Sequence, residues 1–181
     1  SAASDVYKRQ AKQRERLQTI TEQAKRATAL IKQVLDFGRR AAHEPQPLDL
    51  VPFLKEQVKL LERTIPEHIR ISFDYRVDEC VVNADPVRIQ QVITNLALNA
   101  RDAMPAGGHL RVGLECLRIA RQQDAPLPDM QPGPWALITV SDTGSGIAPE
   151  VVPHIFEPFF TTKGPGQGSG LGLAQVWGIV R

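Results

Sequence analysis

The feature that most constrains this sequence is a cluster of glycines near its end. Five of the nine positions from Gly164 to Gly172 are glycine, and a mostly apolar segment follows. Glycine loses more backbone entropy on ordering than any other residue, so the cluster indicates a backbone that must approach another group closely. A loop that runs into a helix N-terminus presents free N–H groups and the positive end of the helix dipole. We therefore expect it to bind an anion, and Lys163 just upstream adds a charge suited to phosphate.

The glycine pattern also differs from those of two well-known nucleotide-binding loops. Its alternation with other residues matches neither the dinucleotide-binding fingerprint nor a Walker A loop. The alternative is a flexible surface loop, which would leave the apolar helix that follows it unexplained.

Length and composition set the class of protein. A chain of 181 residues, 42% hydrophobic and 23% charged, is long enough for one well-cored globular domain and an additional segment. It contains no apolar run of about 18 residues and no signal peptide. Cys80 and Cys116 lie in apolar, strand-like surroundings, and we expect them to be buried free thiols. These features predict a cytoplasmic location without direct membrane contact, although a longer parent protein could be anchored in a membrane.

The first forty residues are basic, with ten Lys/Arg against four Asp/Glu. We expect residues 1–10 to be a non-native or disordered start and residues 11–41 to form one long helix. A nucleic-acid surface is the alternative reading of this charge, but the basic residues lack interleaved aromatics and fit a solvated helical face better. The steps of three and four between apolar or small residues predict a partner helix. These positions are Leu17, Ile20, Ala24, Ala27, Ile31 and Val34.

The remainder of the chain alternates helical and strand patterns. Residues 42–49 read as a Pro-containing linker, and residues 50–181 as one domain. The order of elements predicts an α+β fold, a two-layer sandwich with helices on one face of a mixed, largely antiparallel sheet. We expect helices at 50–63, 85–104, 149–155 and from about 170, and strands at 69–75, 80–84, 107–119 and 134–142.

The helix at 85–104 carries a polar stripe beside an apolar one. Gln91, Asn95 and Asn99 recur every four residues, next to an apolar stripe that must be buried. Asparagine is a poor helix former, so two of them one turn apart indicate a cleft more than a plain polar surface. An amide oxygen there suits a magnesium ion that also takes phosphate oxygens and waters. The apolar stripe is Val92, Leu96, Ala100 and Ala103.

A second polar feature follows the last long strand. Asp142 begins the sequence Asp-Thr-Gly-Ser-Gly, which is either a plain turn or a carboxylate that accepts hydrogen bonds from a nucleotide base. The pattern alone is weak evidence.

Taken together and in this order, the motifs resemble a known family. The segments "NLALNARDA", "DTGSGI", "FEPFFTTK" and "GQGSGLGL" are similar to the N, G1, F and G2 boxes of sensor histidine kinases, members of the GHKL ATPase superfamily with the Bergerat fold. Among these kinases, the residues of the boxes are most similar to those of the nitrogen-sensor and PAS-linked hybrid branch. The resemblance covers roughly residues 15–181, and "VLDFGRR" resembles the second helix of the dimerisation and phosphotransfer hairpin.

The resemblance implies roles for individual residues. Asn99 would bind Mg²⁺, with Asn95 beside it on the phosphate side. Gln91 takes a position where many relatives carry an acidic residue that polarises the attacking histidine, so its own catalytic role is weak. Asp142 would accept the adenine amino group. The other implied ATP contacts are Gly144, Gly146 and Ile147 in the adenine pocket; Phe156, Phe159 and Phe160 as lid anchors; Thr161, Thr162 and Lys163 on the lid; and Gly168, Ser169, Gly170, Leu171 and Gly172 at the phosphates.

The implied activity is transfer of the γ-phosphoryl of Mg-ATP to a histidine, for relay to an aspartate of a response-regulator receiver domain, separate or fused. A homodimer through the hairpin helix is also implied. The acceptor helix is missing here, and the prolines after His43 forbid a helical acceptor box. We expect no autophosphorylation of this chain and a truncation at both ends, with the closing C-terminal strands absent. His68, His109 and His154 fit surface or turn positions.

Two further functions stay open at this stage. Other GHKL ATPases, of the gyrase, chaperone or mismatch-repair kind, hydrolyse ATP with an acidic residue where this chain has Asn95. A non-catalytic nucleotide-binding dimerisation or scaffold module would keep the boxes without turnover.

Overall fold

The computed structural model describes residues 44–125, 130–164 and 168–180, together with Arg16, which lies in a helix. The chain divides into two units, Ser1–Ala42 and His43–Arg181. Apart from Arg16, the predicted start and long helix lie outside the described residues, so they stay predictions. All further observations concern the second unit.

The second unit opens with a short strand and a capped helix. Strand β1 (Gln46–Asp49) pairs antiparallel with β3 (Val81–Ala84), so the second half of the predicted linker is a strand. Pro47 is compatible with this because β1 is an edge strand, where a missing N–H donor is tolerated. Helix α1 (Leu50–Thr64) follows, and the Asp49 carboxylate caps it by accepting a hydrogen bond from the Val51 N–H at 3.1 Å.

Helix α2 (Pro86–Ala103) carries the polar stripe. Asp85 caps it by accepting from the Val87 N–H at 2.9 Å, and Pro86 occupies the first turn, where its missing N–H costs nothing. Val92, Ile93, Ala97 and Ala100 are buried, so this face of the helix packs into the core.

The sheet is mixed, as the sequence predicts. Strand β4 (Gly108–Ile119) lies between β2 (Ile69–Tyr75), which it pairs with in parallel, and β5 (Gly133–Asp142), which it pairs with antiparallel. Leu110, Val112 and Leu114 of β4 are buried, and Leu110 and Leu114 pack in one cluster with residues from α1 and α2. The core therefore lies between one face of this sheet and the helices, which confirms the predicted α+β class.

Two element boundaries differ from the sequence prediction. The helix expected at 149–155 is a single 3₁₀ turn, Val152–His154. The last helix, α3 (Gly172–Val180), begins two residues later than expected because Gly170 has a φ of +66°, which is incompatible with a right-handed helix. A further short 3₁₀ turn, Gln122–Asp124, lies in the connection between β4 and β5.

The expectation of free thiols is wrong for this structure. Cys80, just before β3, pairs with Cys116 on β4 as a disulfide, with their Cα atoms 6.6 Å apart. The two cysteines are 36 positions apart in the sequence, so no local pattern indicates this pairing. Within the described ranges, no helix is long and apolar enough to cross a membrane.

Candidate functional site

Asn95 connects α2 to the helix that follows the glycine cluster. Its side-chain Nδ2 donates to the Gly172 carbonyl at 3.2 Å and to Gln175 Oε1 at 3.1 Å. Gln175 is only 8% exposed although it lies on an otherwise apolar helix. Asn95 and Gln175 therefore fix the N-terminal turn of α3 against α2, while the predicted phosphate contact of Asn95 stays a prediction.

One turn further along α2, the predicted magnesium ligand faces a lysine of the F box. Lys163 Nζ lies 3.5 Å from Asn99 Oδ1 and 2.5 Å from Asp102 Oδ2. The other Asp102 oxygen accepts from the Arg101 guanidinium at 2.6 Å. A positive charge thus stands beside the oxygen to which the sequence assigns Mg²⁺. Gln91 lies on the same stripe, two turns before Asn99, and is half-buried.

The environment of Asp102 favours its charged form. Burial by itself raises the pKa of a carboxyl, but here hydrogen bonds from Lys163 and Arg101 and their positive charges outweigh it. The pKa of Asp102 is consequently lowered, and the carboxylate is ionised at neutral pH.

The loop after β5 packs against the C-terminal end of α2. Asp142 Oδ1 accepts from the Gly144 N–H at 2.8 Å, and the Ser145 N–H donates to the Ala103 carbonyl at 3.1 Å. A Cβ on Gly144 would lie 2.6 Å from that carbonyl, so a larger residue does not fit there. Because Ala103 is one turn beyond Asn99, the loop and the magnesium position share the last two turns of α2.

The remaining residues of this loop are open to solvent. Gly146 has a φ of +71° with no atom within 4 Å of where its Cβ would be, and Ile147 is exposed. Both are therefore accessible to a ligand, as the predicted adenine pocket requires.

The predicted lid is closed at its base. We use "lid loop" for the described residues 160–164 and 168–169. The Phe159 N–H donates to the Gly170 carbonyl at 2.9 Å, and both residues have positive φ, +68° and +66°. A Cβ on Gly170 would overlap the Phe159 backbone. The two ends of the loop therefore meet, and glycine is required at the meeting point.

The three F-box phenylalanines have different surroundings. Phe156 stacks on Trp177 of α3, with ring centroids 4.7 Å apart, and Phe160 lies against His154 at 5.5 Å. Phe159 is 64% exposed, so it holds the lid loop through its backbone and not through its ring.

Within the lid loop and just after it, polar groups form local turns. Thr161 Oγ1 accepts from the Lys163 N–H at 3.2 Å, and a Cβ on Gly168 would lie 2.9 Å from the same oxygen. Ser169 Oγ accepts from the Leu171 N–H at 3.4 Å. Thr162 is exposed, whereas the Leu171 side chain is 1% exposed and packs inward. Leu171 therefore offers a ligand only its backbone. A Cβ on Gly172 would make only ordinary van der Waals contacts with Asn95.

The structure thus brings elements from all four boxes to α2. Asn95 reaches α3, Asn99 reaches the lid loop, and Ala103 reaches the Asp142 loop. Sequence reasoning missed Asp102 and Gln175. A signal existed for Asp102, which lies three residues after Asn99 and hence on the same helix face. For Gln175, the signal in the sequence is that it is a single polar residue inside an otherwise apolar helix.

Comparison with known proteins identifies the family. Residues 84–181 match the model described as histidine kinase-, DNA gyrase B- and HSP90-like ATPase, and the chain belongs to this family. Within this family, the relatives of the chain identify it as the ATP-binding catalytic domain type of two-component sensor histidine kinases. The sensor kinase CckA of Brucella abortus is 39% identical over 165 residues, which cover 91% of this chain and 18% of that protein.

Solved structures agree with this class. Full-length ShkA in complex with AMPPNP superposes with a TM-score of 0.61 and 26% identity, covering 82% of this chain and 29% of that one. Histidine kinase ThkA in complex with the response regulator protein TrrA gives a TM-score of 0.57 and 28% identity, over 80% of this chain and 39% of that one. The chain spans less than a third of the length of ShkA and less than a fifth of CckA.

Proposed function

We propose that the intact protein transfers the γ-phosphoryl group of Mg-ATP to a histidine, from which it passes to an aspartate of a response regulator. The observation that carries this proposal is the convergence of the four motif segments on α2, with Lys163 Nζ 3.5 Å from Asn99 Oδ1. Phosphoryl transfer needs positioning and charge neutralisation more than covalent catalysis, and this site offers both.

The residues present fit a magnesium ion. Asn99 offers a neutral amide oxygen, a hard ligand of the kind Mg²⁺ accepts alongside phosphate oxygens and waters. That oxygen already faces a cation, the Lys163 ammonium. When bound, Mg²⁺ would neutralise charge on the terminal phosphates.

Other residues of the chain would bind and orient the nucleotide. The Asp142 Oδ1 atom accepts from its own loop, and a carboxylate has a second oxygen that can accept from the adenine amino group. Gly144 lets the loop lie against α2, and the lid loop would bring Lys163 to the phosphates.

Titration with ATP tests the nucleotide site. We expect Mg²⁺ to strengthen binding, ATP to bind more tightly than GTP, and Asn99→Ala and Asp142→Ala each to weaken binding by at least about tenfold, since each removes a charge-assisted or metal contact. Asp74→Asn is the matched control, because Asp74 forms an exposed ion pair with Arg111 on β4. Unchanged affinity in both site variants would contradict the proposal.

Hydrolysis by an activated water is less well supported. That reaction needs a base where this chain has Asn95, and the Asn95 amide group is a donor engaged by Gly172 and Gln175. We further propose that the protein forms a homodimer through the helix predicted at 11–41. We also propose that its catalytic region works in the cytoplasm, where ATP is supplied.

A further inference from the structure

The ion pair between Asp102 and Lys163 joins the lid loop to α2 across the candidate site. We propose that Asp102 is a positioning residue that holds the Lys163 ammonium at Asn99 before nucleotide binds, so that Mg-ATP must displace this ammonium to load. The inference rests on the proposed nucleotide site and adds to it an internal competitor for the cation position.

The geometry shows a lysine held from two sides. Lys163 Nζ contacts Asp102 Oδ2 at 2.5 Å and Asn99 Oδ1 at 3.5 Å, across 61 and 64 positions of sequence. Asp102 is itself oriented, because its Oδ1 accepts two hydrogen bonds from Arg101, at 2.9 and 2.6 Å. The carboxylate therefore presents Oδ2 to the lid loop.

The side chains of this ion pair are less exposed than those of another surface pair of the domain. The Lys163 and Asp102 side chains are 32% and 28% exposed, whereas those of Arg111 and Asp74 are 59% and 62% exposed. Partial burial reduces screening by water and salt, so the Asp102 pair should hold where the Asp74 pair contributes little. The lowered pKa of Asp102 agrees with a stable pair.

Mg²⁺ and the Lys163 ammonium would compete for the same space beside Asn99. Mg²⁺ binds oxygen ligands at about 2.1 Å and keeps several waters, so it needs the space around Asn99 Oδ1 that the ammonium takes. A triphosphate offers Lys163 several anionic oxygens in exchange for one carboxylate. Loading would therefore move Lys163 from Asp102 to phosphate, with no covalent change.

The first test needs no nucleotide. We would compare amide hydrogen exchange across the lid loop in the full chain and in Asp102→Asn, Asp102→Glu, Lys163→Met and Asp74→Asn variants. Faster exchange in Asp102→Asn and Lys163→Met, recovery in Asp102→Glu, and no change in Asp74→Asn are expected. Equal exchange in all variants would overturn the proposed hold on the lid loop.

The second test determines whether loss of the ion pair strengthens or weakens Mg-ATP binding. Asp102→Asn removes the carboxylate that holds the Lys163 ammonium at Asn99. The change should therefore tighten Mg-ATP binding by about fivefold, the scale of a partly exposed ion pair. In a Lys163→Met background the same change should have no effect. Weaker binding in Asp102→Asn alone would overturn displacement and show that the ion pair persists in the loaded protein.

The two proposals fail separately. If the unchanged protein does not bind ATP, the proposed nucleotide site is wrong, and the exchange measurement still decides whether Asp102 holds the lid loop. Lys163→Met provides a second route to breaking the pair, because it acts from the lid loop and leaves α2 intact.

Discussion

Glycine serves two physical purposes among the residues of this site. At Gly144 and Gly170, another backbone lies where a Cβ would be, so the absence of a side chain permits close packing. At Gly146 the surrounding space is open and only the φ of +71° favours glycine. The sequence pattern predicts that the backbone must approach something closely, and part of what it approaches is the protein itself.

This distinction predicts different costs for two similar substitutions. Gly146→Ala should destabilise the protein by about 1 kcal/mol, the cost of a left-handed conformation for alanine. Gly170→Ala has nearly the same φ, +66°, but adds an overlap with the Phe159 backbone, so we expect it to cost at least about 2 kcal/mol. Urea unfolding of both variants measures the difference. Equal free energies of unfolding would show that the overlap is relieved by movement of the lid loop.

At the scale of elements, α2 organises the site because three other segments contact its exposed side. The Asn95–Gln175 contact matters most for α3, which otherwise joins the domain through apolar packing of residues such as Ala174 and, just before the helix, Leu171. A partly buried polar contact of this kind fixes the orientation of a helix more strictly than apolar packing does.

Removing one partner of this contact should be costly. Gln175→Leu takes away one of the two acceptors of the Asn95 amide group in a buried setting, and we expect a loss of about 1–3 kcal/mol in the free energy of unfolding. The double variant Asn95→Leu, Gln175→Leu removes both side chains of the pair, so neither amide group is left facing a lost partner, and it should cost less than the sum of the two single changes. Strict additivity in chemical denaturation would mean that the contact contributes no coupling energy.

Local signals in the sequence predict most of these elements. Asp49 and Asp85 mark the starts of α1 and α2 because an N-cap is a short-range interaction, and the alternating pattern of β4 marks its buried face. Strand β1 escapes prediction because Pro45 before it and Pro47 within it resemble a linker, and because its partner, β3, lies more than thirty residues away. Prediction therefore fails where pairing, not local preference, decides the structure.

The same limit applies to the site. Asn99, Asp142 and the glycines are recognisable because they fall in short motifs. The Asp102–Lys163 ion pair and the Cys80–Cys116 pairing join positions 61 and 36 residues apart, and neither is written in a local pattern. Only the tertiary structure brings the lid loop to α2 and Cys80 to Cys116.

At the scale of the whole molecule, the described histidines are all held by the catalytic domain itself. His109 lies in β4 and its Nε2 is 2.9 Å from Ser72 Oγ. His154 Nδ1 lies 2.7 Å from Glu157 Oε1. The His68 carbonyl accepts from the Gly108 N–H, which fixes this residue at the start of β2. An acceptor must approach the γ-phosphate in line at about 3–3.5 Å, which a residue anchored elsewhere in the same domain does not readily do. The family resemblance implies instead an acceptor histidine on a separate helix.

We therefore expect this chain to bind Mg-ATP without phosphorylating itself. Incubation with γ-labelled Mg-ATP should leave no label on its histidines, while a separately supplied dimerisation hairpin of a sensor histidine kinase tests transfer between molecules. His68 is the most informative position, because it borders the same open cleft as Asp102 and Lys163. A His68→Ala variant should behave like the unchanged chain. Label that appears on the chain and disappears with His68→Ala would show that the domain carries its own acceptor, and the requirement for a helix-borne histidine would then be wrong.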